Sequence, residues 1–217
     1  MTIKLHHLRF SRSTRIIWLL EELDLGYEMI EHHRDPETGR AQDDLTDIHP
    51  LGKAPTIEVD GRIMVESGAI IEYLIEAHGG QESGGAKLGV APGDAERTAY
   101  LEWLHFAEGT VAMPVLLTML GPRMGGLDKM PVLQGFVGGE VAKLLDYIDA
   151  HMEGREFLVG EALTGADIHM EYLLELANIG GLLAERPHAK AYLGRLMARD
   201  AYKKAIKMGG PLVNLGG

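Results

Sequence analysis

The strongest constraint on the fold is a two-residue turn in the first third of the chain. Residues 56–59 (Thr-Ile-Glu-Val) and 62–65 (Arg-Ile-Met-Val) are strand-like runs, and only Asp60-Gly61 separates them. An Asp-Gly pair between two such runs is the strongest short-range hairpin signal, because both turn residues need positive φ. The sequence therefore predicts an antiparallel hairpin over residues 56–65.

A second unit precedes this hairpin. Residues 3–5 and 27–31 have strand-like patterns, and residues 16–23 between them have helical apolar spacing, with Ser13 or Thr14 as the expected helix cap. A strand, a helix and a strand within about 30 residues predict a βαβ unit with parallel strands. The polar connection that follows, residues 32–47, leaves room for a short helix.

A change of composition divides the chain. A helix is predicted from residues 66–67 to about residue 78, and six glycines follow between positions 79 and 93. Beyond them the pattern is helical. We expect domains at residues 1–80 and 94–217, joined by a linker at 81–93, with a loosely held glycine-rich tail from 209. The helices predicted in the second domain cover residues 94–120 with an interruption at Pro114, 130–152, 164–183 and 187–208.

Composition narrows the chemistry. The 217 residues include no cysteine, which excludes a thiolate nucleophile, disulfides and thiolate metal sites. A net charge of -11 argues against nucleic acid and membrane surfaces as partners, and no secretion signal or long uncharged apolar run is visible. These features lead us to expect a cytoplasmic protein. The ten histidines do not cluster at ligand spacing, so we expect no metal.

Three segments together resemble the cytosolic glutathione S-transferase family. Residues 11–23 (SRSTRIIWLLEEL) look like its first turn and helix, residues 49–55 (HPLGKAP) like its cis-proline loop, and residues 66–70 (ESGAI) like its glutamate-serine signature. The resemblance extends over essentially the whole chain and is greatest to serine-type bacterial and fungal members. It implies a thioredoxin-like N-terminal domain (βαβ-ββα) followed by an all-helical bundle, assembled as a homodimer.

The resemblance also implies a reaction. The expected function is conjugation of the glutathione thiolate to a small hydrophobic electrophile, with glutathione as co-substrate and no metal. A glutathione-dependent peroxidase, isomerase or ether-cleaving enzyme on the same fold is an alternative, because the fold does not separate these activities. A glutathione-binding or interaction module without turnover is a further alternative.

Glutathione-binding residues follow from the matched motifs. The resemblance implies that Glu66 accepts hydrogen bonds from the ligand's ammonium group, and that Ser67 and the free N–H groups of the helix start bind its γ-glutamyl carboxylate. If the bond before Pro55 is cis, the backbone of Ala54 pairs with the ligand's cysteinyl backbone. The cationic candidates for the glycyl carboxylate are Lys53 and, more weakly, Arg40, although lysines on exposed loops are often only solvated.

The thiolate needs a hydroxyl donor. Members of the family use Tyr, Ser or Cys at the first strand–helix turn; here the first tyrosine, Tyr27, lies beyond the helix, which leaves Ser11, four residues before Arg15. Ser13 is the alternative, and we expect it to cap the helix instead. Arg12 and Arg15 are candidates for positive potential near the sulfur, and the alternative is that both are surface charges.

Two further assignments concern the ends of later helices. Thr164 and Asp167 have capping-box spacing and are predicted to be structural rather than catalytic. The resemblance places the electrophile pocket along the first long helix of the second domain. Most residues there, His105 and Glu108 included, are more often core or interface than catalytic. The weak candidates for this pocket are Phe10, Tyr100, His105 and Met113.

Overall fold

The computed structural model describes residues 2–79, 88–121, 126 and 129–212. It contains two compact units: one combines the chain up to Gly89 with the chain from Ala198 onward, and the other is Val90–Met197. This division differs from the expected one, because the last helix belongs to the first unit. Residues 81–87 of the expected linker and residues 213–217 of the tail lie outside the described residues.

The elements follow one another in a simple order. The strands are β1 (Ile3–Leu8), β2 (Glu28–His32), β3 (Thr56–Val59) and β4 (Arg62–Val65). The helices are α1 (Ser13–Glu22), α2 (Asp43–Ile48), α3 (Ser67–His78), α4 (Arg97–Phe106), α5 (Ala112–Leu120), α6 (Pro131–His151), α7 (Gly165–Ile179), α8 (Pro187–Met197) and α9 (Asp200–Gly209).

The four strands form one mixed sheet in the order β2-β1-β3-β4. β1 pairs with β2 in parallel and with β3 in antiparallel, and β3 pairs with β4 in antiparallel. The predicted hairpin is present, with φ of 48° at Asp60 and 81° at Gly61. The first unit is therefore the expected thioredoxin-like arrangement, and the other unit is helical.

The last helix packs on α1 within the first unit. The rings of Trp18 and Tyr202 meet edge to face at 5.3 Å, and Arg199 donates to both carboxylate oxygens of Glu22 at 2.6 and 2.8 Å. The predicted continuous helix over 187–208 is wrong. Arg199 has extended backbone (φ -66°, ψ 142°), so α8 ends at Met197 and a separate helix, α9, begins at Asp200.

The predicted helix over 94–120 is interrupted, but not at Pro114. A π-helical turn, Ala107–Val111, separates α4 from α5, and Pro114 is the third residue of α5. Proline has no backbone N–H to donate. Pro114 lies close to the start of α5, next to the π turn, where the regular helical hydrogen bonding is already disrupted, so a proline is tolerated there. The buried ring of His169 donates from Nδ1 to the carbonyl of Leu104, 2.8 Å away, just before this turn.

By length and composition alone, the helical run Arg97–Leu120 qualifies as a membrane span, with a mean hydropathy of 1.3 over 18 residues. One third of that window is buried. Core helices of soluble domains meet the same criteria, and Tyr100, Leu104 and Val111 are among its interior residues. The run therefore does not indicate a membrane protein by itself.

Asp167 organises the start of α7. Its buried carboxylate accepts from the backbone N–H of Leu158 (2.9 Å), the N–H and hydroxyl of Thr164 (2.7 and 2.9 Å) and the hydroxyl of Tyr192 (2.6 Å). The predicted capping box is present. Burial raises the pKa of the Asp167 carboxyl, and these hydrogen bonds oppose the rise. This geometry agrees with a structural role.

Asp167→Ala is expected to lower the free energy of unfolding by at least about 3 kcal/mol, because four buried donors lose their acceptor and each costs about 1–3 kcal/mol. Urea denaturation measures the change. Glu161→Ala is the matched control, since Glu161 is an exposed carboxylate in the preceding loop. A loss of under about 1 kcal/mol for Asp167→Ala would contradict the assignment.

Candidate active site

Strand register brings the predicted site segments to one edge of the sheet. Thr56, at the start of β3, pairs with His6 near the end of β1 and with Val65 at the end of β4. The turn after β1, the loop before β3 and the start of α3 therefore leave the sheet at the same edge. The parallel pairing of β1 and β2 adds the loop after β2 to this edge, because Leu8 pairs with His32.

The loop before β3 has the expected backbone. The Ala54–Pro55 peptide bond is cis. Lys53 is exposed, and its carbonyl accepts from the hydroxyl of Thr56 at 2.7 Å. The Lys53 side chain is thus at the surface beside the half-buried Ala54.

The start of α3 has an unusual conformation. Glu66 has φ of 72°, which is rare for a residue with a side chain and is typical of ligand-contacting positions. Glu66 is exposed, whereas Ser67 is buried and its hydroxyl accepts from Nη1 of Arg15 at 3.2 Å. Arg15 is itself buried on α1. The two motifs that contain Ser67 and Arg15 are therefore in direct contact.

The two candidate serines lie side by side. Their Oγ atoms are 2.8 Å apart, and Ser11 is 8% exposed while Ser13 is fully buried. Ser13 does not cap α1 as predicted, because its hydroxyl bonds to the backbone of Leu8 and to His7. Instead, Ser11 Oγ accepts from the N–H of Ser13 at 3.2 Å. Ser11 is the more accessible of the two hydroxyls.

His7 also belongs to this group of side chains, although the sequence analysis did not predict it. Its Nδ1 is 2.8 Å from Ser13 Oγ, and its Nε2 is 2.9 Å from the carbonyl of Gly209. Burial lowers the pKa of His7, which favours the neutral ring. Strand alternation contained a signal, since it places His7 on the same face as Ile3 and Leu5 and therefore in the core.

Arg34 is a second residue near the site that the sequence analysis did not predict. Its guanidinium donates to three carbonyls: Arg9 at 3.1 Å, Phe10 at 2.7 Å and Gly39 at 2.7 Å. It thus joins the turn after β1 to the loop after β2. Phe10 has φ of 58° in that turn. A single arginine in a polar run has no periodic pattern that would have indicated this role.

The weaker candidates have different surroundings. Arg40 is exposed in the loop after β2, and its carbonyl accepts from the N–H of Asp35 at 2.8 Å. In the helical unit, Tyr100 is 1% exposed and lies under the guanidinium of Arg97, so it is not available to line an open pocket. His105 and Met113 are exposed. Within the described ranges, no group of three or more His, Asp or Glu side chains has metal-binding geometry.

Comparison with known proteins identifies the family. Family models of the glutathione S-transferase N-terminal and C-terminal domains match residues 5–82 and 116–200. Glutathione S-transferase 3 of Schizosaccharomyces pombe is 36% identical in an alignment of 201 positions, and the alignment covers 86% of this chain and 78% of the relative.

Solved structures agree. A glutathione S-transferase from Actinobacillus pleuropneumoniae is 30% identical, with a TM-score of 0.84 over 97% of this chain and 94% of that one. A sphingomonad glutathione S-transferase complexed with glutathione has a TM-score of 0.78 at 24% identity over 95% and 98% of the two chains, which shows the shared fold. The chain belongs to the glutathione S-transferase family.

The lowered pKa of His7 predicts acid sensitivity. The unfolded chain binds a proton near pH 6.5 while the buried ring resists it, so the stability contributed by neutral His7 is complete above that pH and is lost as pH falls below it. The unfolding free energy should fall by at most about 1.4 kcal/mol per pH unit for this residue.

Chemical denaturation at several pH values between 7.5 and 5 measures this dependence. His7→Asn, which does not titrate in this range, should have a shallower slope than the parent. Equal slopes for the two proteins would contradict a lowered pKa of His7. The pKa of His6 is lowered as well, and it contributes equally to both proteins.

Proposed function

We propose that the protein is a serine-type glutathione transferase that joins the thiolate of glutathione to a hydrophobic electrophile. One observation carries the proposal: in a member of this family, strand register brings Ser11, the Lys53–Pro55 loop and the Glu66-Ser67 helix start to one edge of the sheet. The absence of cysteine supports the serine type, because any reacting sulfur has to come from the ligand.

The binding residues complement the charges of the tripeptide. The exposed Glu66 carboxylate accepts hydrogen bonds from the ligand's ammonium group, and the start of α3, with Ser67, donates to the γ-glutamyl carboxylate. The Ala54 backbone pairs with the cysteinyl residue in the manner of an added strand. Lys53 reaches the glycyl carboxylate, with Arg40 as a weaker second cation. These contacts hold the sulfur close to Ser11 and orient it for attack.

The chemical step is a nucleophilic attack. A free thiol has a pKa of about 8.5, so it is mostly protonated at neutral pH. Ser11 donates its hydroxyl proton in a hydrogen bond to the thiolate, which lowers the thiol pKa, and the thiol proton leaves to solvent. A sulfur lone pair then forms a bond to the electrophilic carbon, which either releases a leaving group with its electron pair or passes its π electrons to an acceptor.

The remaining assignments complete the proposal. The candidate residues for contact with the electrophile are the exposed His105 and Met113 of the helical unit, and Phe10 of the turn after β1 is a further candidate. Two copies of the chain pair as a homodimer in the cytoplasm, and the reaction serves detoxification. These features are typical of the family.

Ser11→Ala should raise the pKa of the bound thiol toward about 8.5 and lower kcat about 10²–10³-fold, as for loss of one anion-stabilising donor. The KM for glutathione should change little, because the carboxylate and ammonium contacts remain. Thiolate absorbance during a pH titration and steady-state conjugation assays measure these effects. Loss of transfer in Ser13→Ala, with Ser11→Ala unaffected, would contradict the assignment.

The same assays separate the alternatives. Turnover of aromatic and unsaturated electrophiles supports the transferase, whereas turnover of only peroxides, isomerisable substrates or ethers indicates one of the related enzymes. Glutathione binding without turnover on any of these panels indicates a binding module. Failure to bind immobilised glutathione would overturn all of the glutathione-dependent functions.

Lys53→Ala should raise the KM for glutathione about tenfold or more while kcat is retained, because a charge-assisted hydrogen bond to a carboxylate is lost. Lys203→Ala is the matched control, since Lys203 is an exposed lysine on α9 of the same unit. Steady-state kinetics with varied glutathione measures the difference. Equal KM values for the two variants would exclude Lys53 from the binding site.

A further inference from the structure

A chain of hydrogen bonds runs from Ser11 into the interior of the first unit. Ser11 Oγ is 2.8 Å from Ser13 Oγ, which is 2.8 Å from His7 Nδ1, and His7 Nε2 is 2.9 Å from the carbonyl of Gly209. Hydroxyls and neutral imidazoles each contribute one proton to such a chain. The direction of every bond therefore depends on its innermost acceptor.

The innermost acceptor is a carbonyl at the end of α9. A carbonyl oxygen only accepts, so Nε2 of His7 must hold the ring proton. Burial lowers the pKa of His7, and Arg9 and His32 lower it further, against opposing effects from Gly209 and Glu31. The neutral ring therefore leaves Nδ1 as an acceptor.

Gly209 is suited to this contact because it has no side chain. A Cβ at that position would lie 2.6 Å from Cδ1 of Ile17 and 3.0 Å from Cε1 of His7. Contacts this short require neighbouring atoms to move. Glycine allows the end of α9 to approach the His7 ring closely.

The hydroxyl of Ser13 donates its proton to the unprotonated Nδ1 of His7. Its hydroxyl proton has two acceptors in range, His7 Nδ1 at 2.8 Å and the carbonyl of Leu8 at 3.2 Å, and the shorter bond also satisfies the buried ring nitrogen. With its proton directed to His7, Ser13 Oγ accepts from the N–H of Leu8 at 3.3 Å and from the hydroxyl of Ser11.

We propose that His7 is a positioning residue that orders the hydroxyl protons of the site, so that Ser13 keeps its proton inward and Ser11 alone has a proton that can turn to a bound sulfur. The inference rests on the proposed function of Ser11. In the unliganded site the Ser11 proton is held by Ser13, and a bound thiolate competes with Ser13 for it. His7 thereby limits how far Ser11 lowers the pKa of the bound thiol.

The test compares three histidine variants of the full-length protein with bound glutathione. In His7→Leu, Ser13 loses its nearest inward acceptor and keeps only the longer contact to the carbonyl of Leu8 at 3.2 Å. Its proton then turns to the closer Ser11 Oγ at 2.8 Å, and the proton of Ser11 points to the sulfur. The bound thiol pKa, measured by thiolate absorbance, should fall by about half a unit to one unit, the range expected for one hydrogen bond. The KM for glutathione should not change.

His7→Asn retains an amide oxygen as acceptor for Ser13 and should keep the parent thiol pKa. His6→Leu is the matched control, because His6 is an adjacent buried histidine on the opposite face of β1, bonded to His32. It too should keep the parent value. If His7→Leu does not fold, Ser13→Ala is the substitute, because it removes the hydroxyl that competes with the thiolate for the Ser11 proton and should also lower the thiol pKa.

The possible results distinguish a failure of the proposed role of His7 from a failure of the proposed function of Ser11. An unchanged or raised thiol pKa in His7→Leu, or the same shift in His7→Asn, would overturn the ordering by His7 while Ser11→Ala still raises the thiol pKa. If Ser11→Ala itself leaves the thiol pKa unchanged, the proposed function of Ser11 fails. A fall in the thiol pKa of His7→Leu, with parent values in His7→Asn and His6→Leu, supports the proposal.

Discussion

The antiparallel pairing of β1 with β3 is the constraint on which the site depends. It sets which loops share an edge of the sheet, because His6 is opposite Thr56 and Thr56 is opposite Val65. The same register sends Ile3 and Leu5 into the core with His7. A slip by one residue would exchange the two faces of β1 and move His7 away from Ser13. Core packing and site assembly are therefore fixed by one register.

The last helix extends this dependence to the far end of the sequence. α9 packs on α1 through Trp18 and Tyr202, and its terminal carbonyl contacts His7 of β1. The helix that follows the turn after β1, α1, is thus covered by α9, the last helix of the first unit. The two adjacent histidines of β1 point to opposite faces of the sheet. His7 faces α9, whereas His6 is bonded to His32, and His32 is bonded to Asp44 of α2.

Local patterns predicted much of this structure. The Asp60-Gly61 hairpin, the βαβ unit, the start of α3 and the capping box of Thr164 and Asp167 all depend on residues within a few positions of each other, and each is present. The three sequence motifs also identified the segments that lie together at one edge of the sheet. Strand pairing, which no local pattern encodes, was needed to show that they do meet.

The missed features depend on distant contacts or single side chains. The contact between His7 and Gly209 joins residues 202 positions apart, and periodicity reports only that His7 is buried. The break between α8 and α9 was missed because both segments are helical and the reason for the break is packing on α1. Ser13 was assigned to capping because its type and position favour a cap, but the buried His7 ring offers its hydroxyl a competing partner.

Arg34 has a consequence for the thermodynamics of ligand binding. Its guanidinium bonds to carbonyls in both loops at the site edge, at Arg9, Phe10 and Gly39. Loops that are cross-linked in this way before a ligand arrives have less backbone freedom left to lose. Association then carries a smaller entropic penalty, so a small flexible tripeptide can be held by a few polar contacts.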